Sequence, residues 1–318
     1  MTDGGKPWRR PPAGPYLTPP PVVRKGARTR QGIPTDVKSA LDRGLDETVT
    51  LVEWLAIDLP ALLSAVLPSC GLGDAAAGLV RLAAARIEEG VPFLRRQRAA
   101  ASDLLAAMRA LPPKRAGAAF ARLATHRSDV VRSLAASSVA ADDEADLSEK
   151  LSFARPFAGD RNMGVREIAW EVFRSALRDA LPGGLDLLTS WVVDPDPGVR
   201  RAAIEGSRPR GVWTFHLEFL KERPEAALPL LEEVRSDPSE YVRKAVGNWL
   251  NDAAKSRPDF VRRLAAAWRR GPIDPATERI LRRGLRSLTD LPTDRPQEFK
   301  KSSKGSKSRG SVRKTNPG

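Results

Sequence analysis

A Val-Arg pair recurs along this chain with its arginine at positions 132, 166, 200 and 243, spacings of 34, 34 and 43 residues. Each pair follows a turn rich in Asp, Pro or Ser and opens a stretch with helical apolar spacing. The copies begin at Ser128-Asp129, at Asp160-Arg161, at Asp194-Pro195-Asp196-Pro197 and at Asp237-Pro238-Ser239, with a weaker one at Asp274-Pro275. A period of this length with one helix start per unit is the mark of stacked helix pairs of the HEAT type. Such a unit hides its apolar face only by stacking on its neighbours, so the repeat dictates an elongated array. The Asp before each Val-Arg helix is expected to cap free N–H groups and to complement the helix dipole.

Composition agrees with an all-α chain. Hydrophobic residues make up 41% but aromatics only 6%, and Ala, Leu and Arg dominate while period-two β runs are scarce. The reading is a right-handed α-solenoid over residues 35–290. Thr35 is the expected first N-cap. Val49 to Leu59 forms an apolar stripe that Pro60 interrupts, and Leu62–Leu67, Leu72–Ile87 and Val91–Leu111 read as further helices. The Pro/Arg-rich stretch 1–34 and the Ser/Lys-rich stretch 291–318 cannot bury enough apolar surface to fold, and are expected to be disordered. A single cysteine, Cys70, fits a reducing compartment. With no long apolar run, the chain is expected to be a cytoplasmic, nucleoid-associated monomer with no membrane contact.

The net charge of +14 is carried mostly by the ends. Residues 1–34 hold seven basic side chains against one acid, and residues 300–318 hold seven against none. The expected partner of such ends is a polyanion, with double-stranded DNA preferred over an anionic membrane.

Several chemistries lack material. With two histidines and one cysteine, no zinc site and no nucleophile–histidine pair is expected, and no Gly-rich phosphate loop is present. No metal and no cofactor is expected. What remains is carboxylates, tryptophans and arginines between residues 166 and 252. Arg208-Pro209-Arg210 is a rigid turn, expected to point outward. It either binds phosphate through its guanidinium groups or forms a salt bridge between repeats. Trp213 either stacks on a base or sugar or belongs to the core. Glu205 is exposed, paired with an arginine, or facing a groove. Asn248, Asn251 and Asp252 share one helical face, as an internal network or as the wall of a site.

These residues carry a resemblance. The run Arg200-Arg201-Ala202-Ala203-Ile204-Glu205-Gly206-Ser207-Arg208-Pro209-Arg210-Gly211-Val212-Trp213, and later Asp237-Pro238-Ser239-Glu240-Tyr241-Val242-Arg243 to Asn248-Trp249-Leu250-Asn251-Asp252, resembles the AlkC branch of the HEAT-like repeat DNA glycosylases. The likeness is specific over about residues 160–270, looser from Val49 to Ala140, and absent in both ends. It implies a superhelix that cradles duplex DNA and releases cationic N3- or N7-alkylated bases without flipping them. It places Glu205 and Asp252 at catalytic carboxylate positions, Trp213 at the aromatic contact position and Arg208 and Arg210 in the motif's Arg-Pro-Arg turn; Trp170, Glu171 and Asn248 stand beside them as candidate DNA or base contacts. A further family carboxylate falls on Trp170 here, with Glu171 one position late, about 100° around the helix. Two functions therefore stand open: an alkylbase DNA glycosylase, or a non-catalytic binder of duplex or damaged DNA on the same scaffold. A protein-binding HEAT adaptor is a third, and it leaves the basic ends and the Arg-Pro-Arg turn without purpose. Arg200 to Glu205 is five residues and Arg243 to Asp252 is nine, about one helical turn different. The two carboxylates are thus expected on adjacent helices roughly 8–10 Å apart, with space for a deoxyribose and a water.

Overall fold

A computed structural model describes residues 24–211 and 214–288. Both ends of the chain and Trp213 lie outside the described residues, as do the expectations made for them. Within the described residues the protein is a stack of helices without a β-strand. The first part holds α1 (Thr35–Asp42), α2 (Leu51–Ala56), α3 (Leu59–Val66), α4 (Gly73–Glu88), α5 (Phe93–Arg109) and α6 (Pro113–Ala124). The repeat proper follows with α7 (Asp129–Ala140), α8 (Leu147–Ala158) and α9 (Met163–Ala180). Then come α10 (Thr189–Val192), α11 (Pro197–Gly206), α12 (Glu218–Glu222), α13 (Leu228–Glu233), α14 (Glu240–Ala254), α15 (Pro258–Trp268) and α16 (Pro275–Gly284). No helix among the described residues is long and apolar enough to cross a membrane.

The Val-Arg helices α7, α9, α11 and α14, with α16 after them, each pack on the next, and α6, α8, α10 and α15 back them as a second layer. The apolar stripe of each helix is buried between the layers, which is where Phe173 meets Trp191 edge-on at 5.3 Å and Phe120 meets Phe153 at 5.8 Å. Gly206 is required at the end of α11. A Cβ there would lie 2.3 Å from the Phe173 ring of α9, so a larger residue would push the two helices apart.

The Val-Arg arginines explain the repeat. In every copy the guanidinium Nη1 donates to two carbonyls of the turn before its own helix: His126 and Arg127 for Arg132, Asp160 and Arg161 for Arg166, Asp194 and Pro195 for Arg200, and Asp237 and Pro238 for Arg243. In two copies the other edge reaches the turn of the next repeat. Arg132 Nε lies 2.7 Å from Asp160, and Arg200 Nε lies 2.7 Å from Asp237. This corrects the expectation for the aspartates. Asp196 and Asp274 do cap their helices, by accepting from Gly198 and Ala276. Asp160, Asp194 and Asp237 sit further upstream, where each accepts the amide two residues on and an arginine from another helix.

Three further expectations shift. Thr35 is the first residue of α1 and Pro34 is its N-cap. Pro60 does not break a helix: the break falls at Ile57-Asp58, Asp58 caps α3, and Pro60 sits in the first turn of α3, where its missing N–H costs nothing. Residues 24–34 are not part of a loose end. Arg24 donates to Glu53 at 2.6 Å and to Asp46 at 3.2 Å, and Glu53, fully buried, also accepts the amides of Ala27 and Val49. The neighbouring segment Glu47-Thr48 stitches this region to the repeat. Glu47 pairs with Arg132 and Arg161, the carbonyl of Thr48 accepts from Asn162, and Asp129 accepts both the amide and the hydroxyl of Thr48.

Candidate nucleic-acid site

α9, α11 and α14 lie side by side; Glu167 of α9, Glu205 of α11 and Asn248 of α14 line a single cleft, and Asp252 of α14 lies behind Arg208 of its wall. From α11, Glu205 is 4% exposed, and from α14, Asp252 is 4% exposed. Burial of that degree requires compensation, and Arg208 provides it. Its Nη1 lies 2.8 Å from Glu205 Oε2, and its Nη2 lies 2.7 Å from Asp252 Oδ2, with Nε also donating to Asp252 at 2.8 Å. One planar guanidinium thus joins two adjacent repeats. Arg201, one turn before Glu205, has Nη2 3.0 Å from Glu205 Oε1 and 3.0 Å from Glu167 Oε1. The result is an alternating row, Glu167–Arg201–Glu205–Arg208–Asp252, ending on Lys255 3.4 Å from Asp252. Both arginines are held above their ordinary affinity for protons, the attraction of their carboxylates outweighing the opposing cost of burial.

The backbone around this row is fixed by Arg174 of α9. Its side chain is buried and donates to the carbonyls of Gly206, Arg208 and Phe215 at 2.8, 2.9 and 3.0 Å. Burial, aided by the nearby Arg208 charge, pushes its guanidinium down to about 10, which still leaves it protonated at neutral pH. The indole of Trp249 adds a hydrogen bond to Ser207 O at 3.0 Å. These contacts hold the end of α11 and the Arg-Pro-Arg turn on α9 and α14.

The turn does not point outward as expected. Arg208 is turned inward onto the two carboxylates, and Arg210 donates to Ser256 at 2.7 Å while lining the cleft. The sequence left phosphate binding and an inter-repeat salt bridge both open, and in this state Arg208 makes the salt bridge. It also fills the space between Glu205 and Asp252 that the helix spacing had suggested for a sugar and a water. Asn248 lines the cleft and accepts from Arg283 at 2.8 Å, whereas Asn251 faces α16 and donates to Ser287 at 2.7 Å. The shared polar face of α14 is therefore split between site and packing.

The cleft measures about 110 Å³ and is walled by Trp170, Arg174, Arg201, Arg208, Arg210, Asn248, Glu205 and Glu167. Glu171 is absent from it. It lines a larger apolar hollow of about 380 Å³ beyond Trp170, and pairs with Arg98 at 2.9 Å. Trp170 stands between the two, with Arg174 beneath its ring at 5.9 Å and its Nε1 donating to Glu167 at 3.3 Å. Glu167 is the site residue that the sequence reading missed. The usable signal was its place three residues before Trp170 and so on the same face of α9.

Residues 132–270 match the sequence model of the DNA alkylation repair enzymes. Over this stretch, less than half of the chain, the sequence is similar to that family. All three helices of the carboxylate row lie inside it. Of individual DNA alkylation repair relatives, the structure is similar to the alkylpurine DNA glycosylase AlkC of Pseudomonas fluorescens, solved bound to DNA containing an abasic site analogue. The two share 26% identity with a TM-score of 0.58, over 73% of this chain and 64% of that one. The fold is also shared with smu.31 of Streptococcus mutans, at 24% identity and a TM-score of 0.50, over 64% of this chain and 96% of the other. In sequence, 101 residues are 41% identical to the uncharacterized protein YhaZ of Bacillus subtilis, a stretch that covers 32% of this chain. The chain spans less than two thirds of the length of these first relatives, 28% of YhaZ and 64% of AlkC.

Proposed function

We propose that this protein binds double-stranded DNA over the cleft and hydrolyses the N-glycosidic bond of cationic N3- or N7-alkylated bases, leaving the base in the stack. One observation carries the reading: Glu205 and Asp252, from adjacent repeats, meet on the one guanidinium of Arg208, which lines a cleft walled by tryptophan and arginine. An alkylated base that already bears a positive charge leaves without a proton. The C1′–N bond breaks with both electrons going to the base, and a water oxygen bonds to C1′ and releases its proton to a carboxylate or to solvent. The protein's part is to stabilise a cationic sugar and to direct that water, and carboxylates do both. The Trp170 face adds attraction for a cation. A DNA phosphate is the natural competitor for Arg208, since guanidinium pairs with phosphate as well as with carboxylate. Transfer of Arg208 to phosphate would remove the cation that lies between Glu205 and Asp252 at the moment the sugar arrives.

The non-catalytic DNA-binding reading is favoured by the same arginine, which occupies both carboxylates in the free protein. An assay separates the two. Purified protein is incubated with duplex DNA carrying 3-methyladenine or 7-methylguanine, and released base is measured. Release by the wild type, abolished in Asp252→Asn with duplex affinity retained, is the expected result. Duplex binding without any base release would transfer the protein to the second reading.

A further inference from the structure

The carboxylate row has a third acid that neither the Arg-Pro-Arg stretch nor the Asn-Asp end of α14 contains. Glu167 belongs to α9, and its Oε1 lies 3.0 Å from the same Arg201 nitrogen that is 3.0 Å from Glu205 Oε1, so the two oxygens cannot be more than 6.0 Å apart. Its other oxygen accepts from the indole of Trp170 at 3.3 Å, which fixes the carboxylate against the cleft wall. Its side chain is 40% exposed, against 4% for Glu205 and 6% for Asp252. Of the three, it is the one at the opening. Glu205 Oε1 is buried and accepts no hydrogen bond, although it lies at ion-pair distance from Arg201. An unsatisfied buried acceptor on the cleft wall is a place for a donor or a cation to come to.

We infer that Glu167 is the carboxylate that meets the positive charge of the substrate at the mouth of the cleft. It acts from one helical turn before Trp170, with Trp170 holding it in place. This rests on the glycosylase reading above and adds to it a catalytic residue and a site for the charge. As the C1′–N bond breaks, positive charge moves from the base to the sugar. Glu167 and Glu205, bridged by Arg201, face that charge together, and neither takes a proton from the leaving base.

The test uses the full chain with Glu167→Gln, and with the double variant Glu167→Gln/Trp170→Glu, which moves the carboxylate along α9. Two readouts are taken. One is single-turnover release of 7-methylguanine. The other needs no turnover: affinity for duplexes bearing a protonated pyrrolidine abasic mimic relative to a neutral tetrahydrofuran one. Glu167→Gln is expected to slow release roughly 100-fold and to cut the preference for the cationic mimic roughly tenfold. Tetrahydrofuran-duplex affinity and melting temperature should stay at wild-type values, and the double variant should regain part of both losses. Wild-type preference and rate in Glu167→Gln would overturn the assignment. So would an equal loss of affinity for both mimics, which would make Glu167 a structural partner of Arg201. A wild type that releases no base would sink the glycosylase reading alone. The mimic preference would then still decide Glu167, its absence in the wild type counting against the assignment.

Discussion

Arg208 shows how one side chain sets the state of a site. A lysine could not bridge Glu205 and Asp252 as this planar fork does, because an ammonium presents a single compact charge. Elsewhere a buried acid held by hydrogen bonds, with no ion pair among the described residues, behaves differently. Asp129, fully buried at the start of α7, accepts from the amide and hydroxyl of Thr48, and burial pushes its carboxyl up to about 6 against the opposing pull of those hydrogen bonds. Its folded state therefore holds a proton that the unfolded chain has already released. Stability from this group is present below the unfolded value of 3.8 and is lost as pH rises towards 6. Asp129→Asn keeps an acceptor for the Thr48 amide and removes the charge. Chemical unfolding at pH 4.5 and pH 7.5 should show the variant gaining on wild type at the higher pH, on the order of 2 kcal/mol. An equal difference at both pH values would refute this.

At the scale of the helix, the site depends on how closely α9 and α11 approach. Gly206 is the last residue of α11. A methyl there meets Phe173 at 2.3 Å and displaces the carbonyl that Arg174 holds. Gly206→Ala should cost about 1–3 kcal/mol in denaturant unfolding, the usual range for overpacking a tight core. It should also lower duplex affinity, because the Arg-Pro-Arg turn follows directly. Gly73→Ala, whose Cβ would find its nearest neighbour at 3.6 Å, is the matched control and should leave duplex affinity unchanged. A Gly206→Ala variant as stable as wild type would mean that α11 tilts freely on α9.

For the whole molecule, the fixing of Arg24 on Glu53 and Asp46 redraws the basic end. The basic stretches outside the described residues are 1–23 and 300–318. Removing both takes away a net +2 and +7 of the +14. Duplex affinity should fall, and the slope of log affinity against log salt should flatten by about 0.9 for each phosphate that the ends neutralise. An unchanged slope would show that the ends do not touch phosphate.

The repeat was legible because it is local. Val-Arg after an Asp/Pro turn is a helix start wherever it stands, and the apolar stripe behind it must be stacked upon, so the all-α array follows from residues 132, 166, 200 and 243 alone. The carboxylates Glu205 and Asp252 could be named from the resemblance of their surroundings. Their meeting on Arg208, the inward turn of that arginine, and the departure of Asn251 toward α16 could not be read from the sequence. A side chain's partner across repeats depends on the rotation of one helix against the next, which spacing leaves free by tens of degrees. For the same reason Glu167 went unnoticed while Glu171, beside the expected position, drew attention. On α9 the acid one turn back, Glu167, lines both the cleft and the hollow, while Glu171 next to Trp170 lines the hollow alone, and only the packed helix shows which acid reaches the cleft.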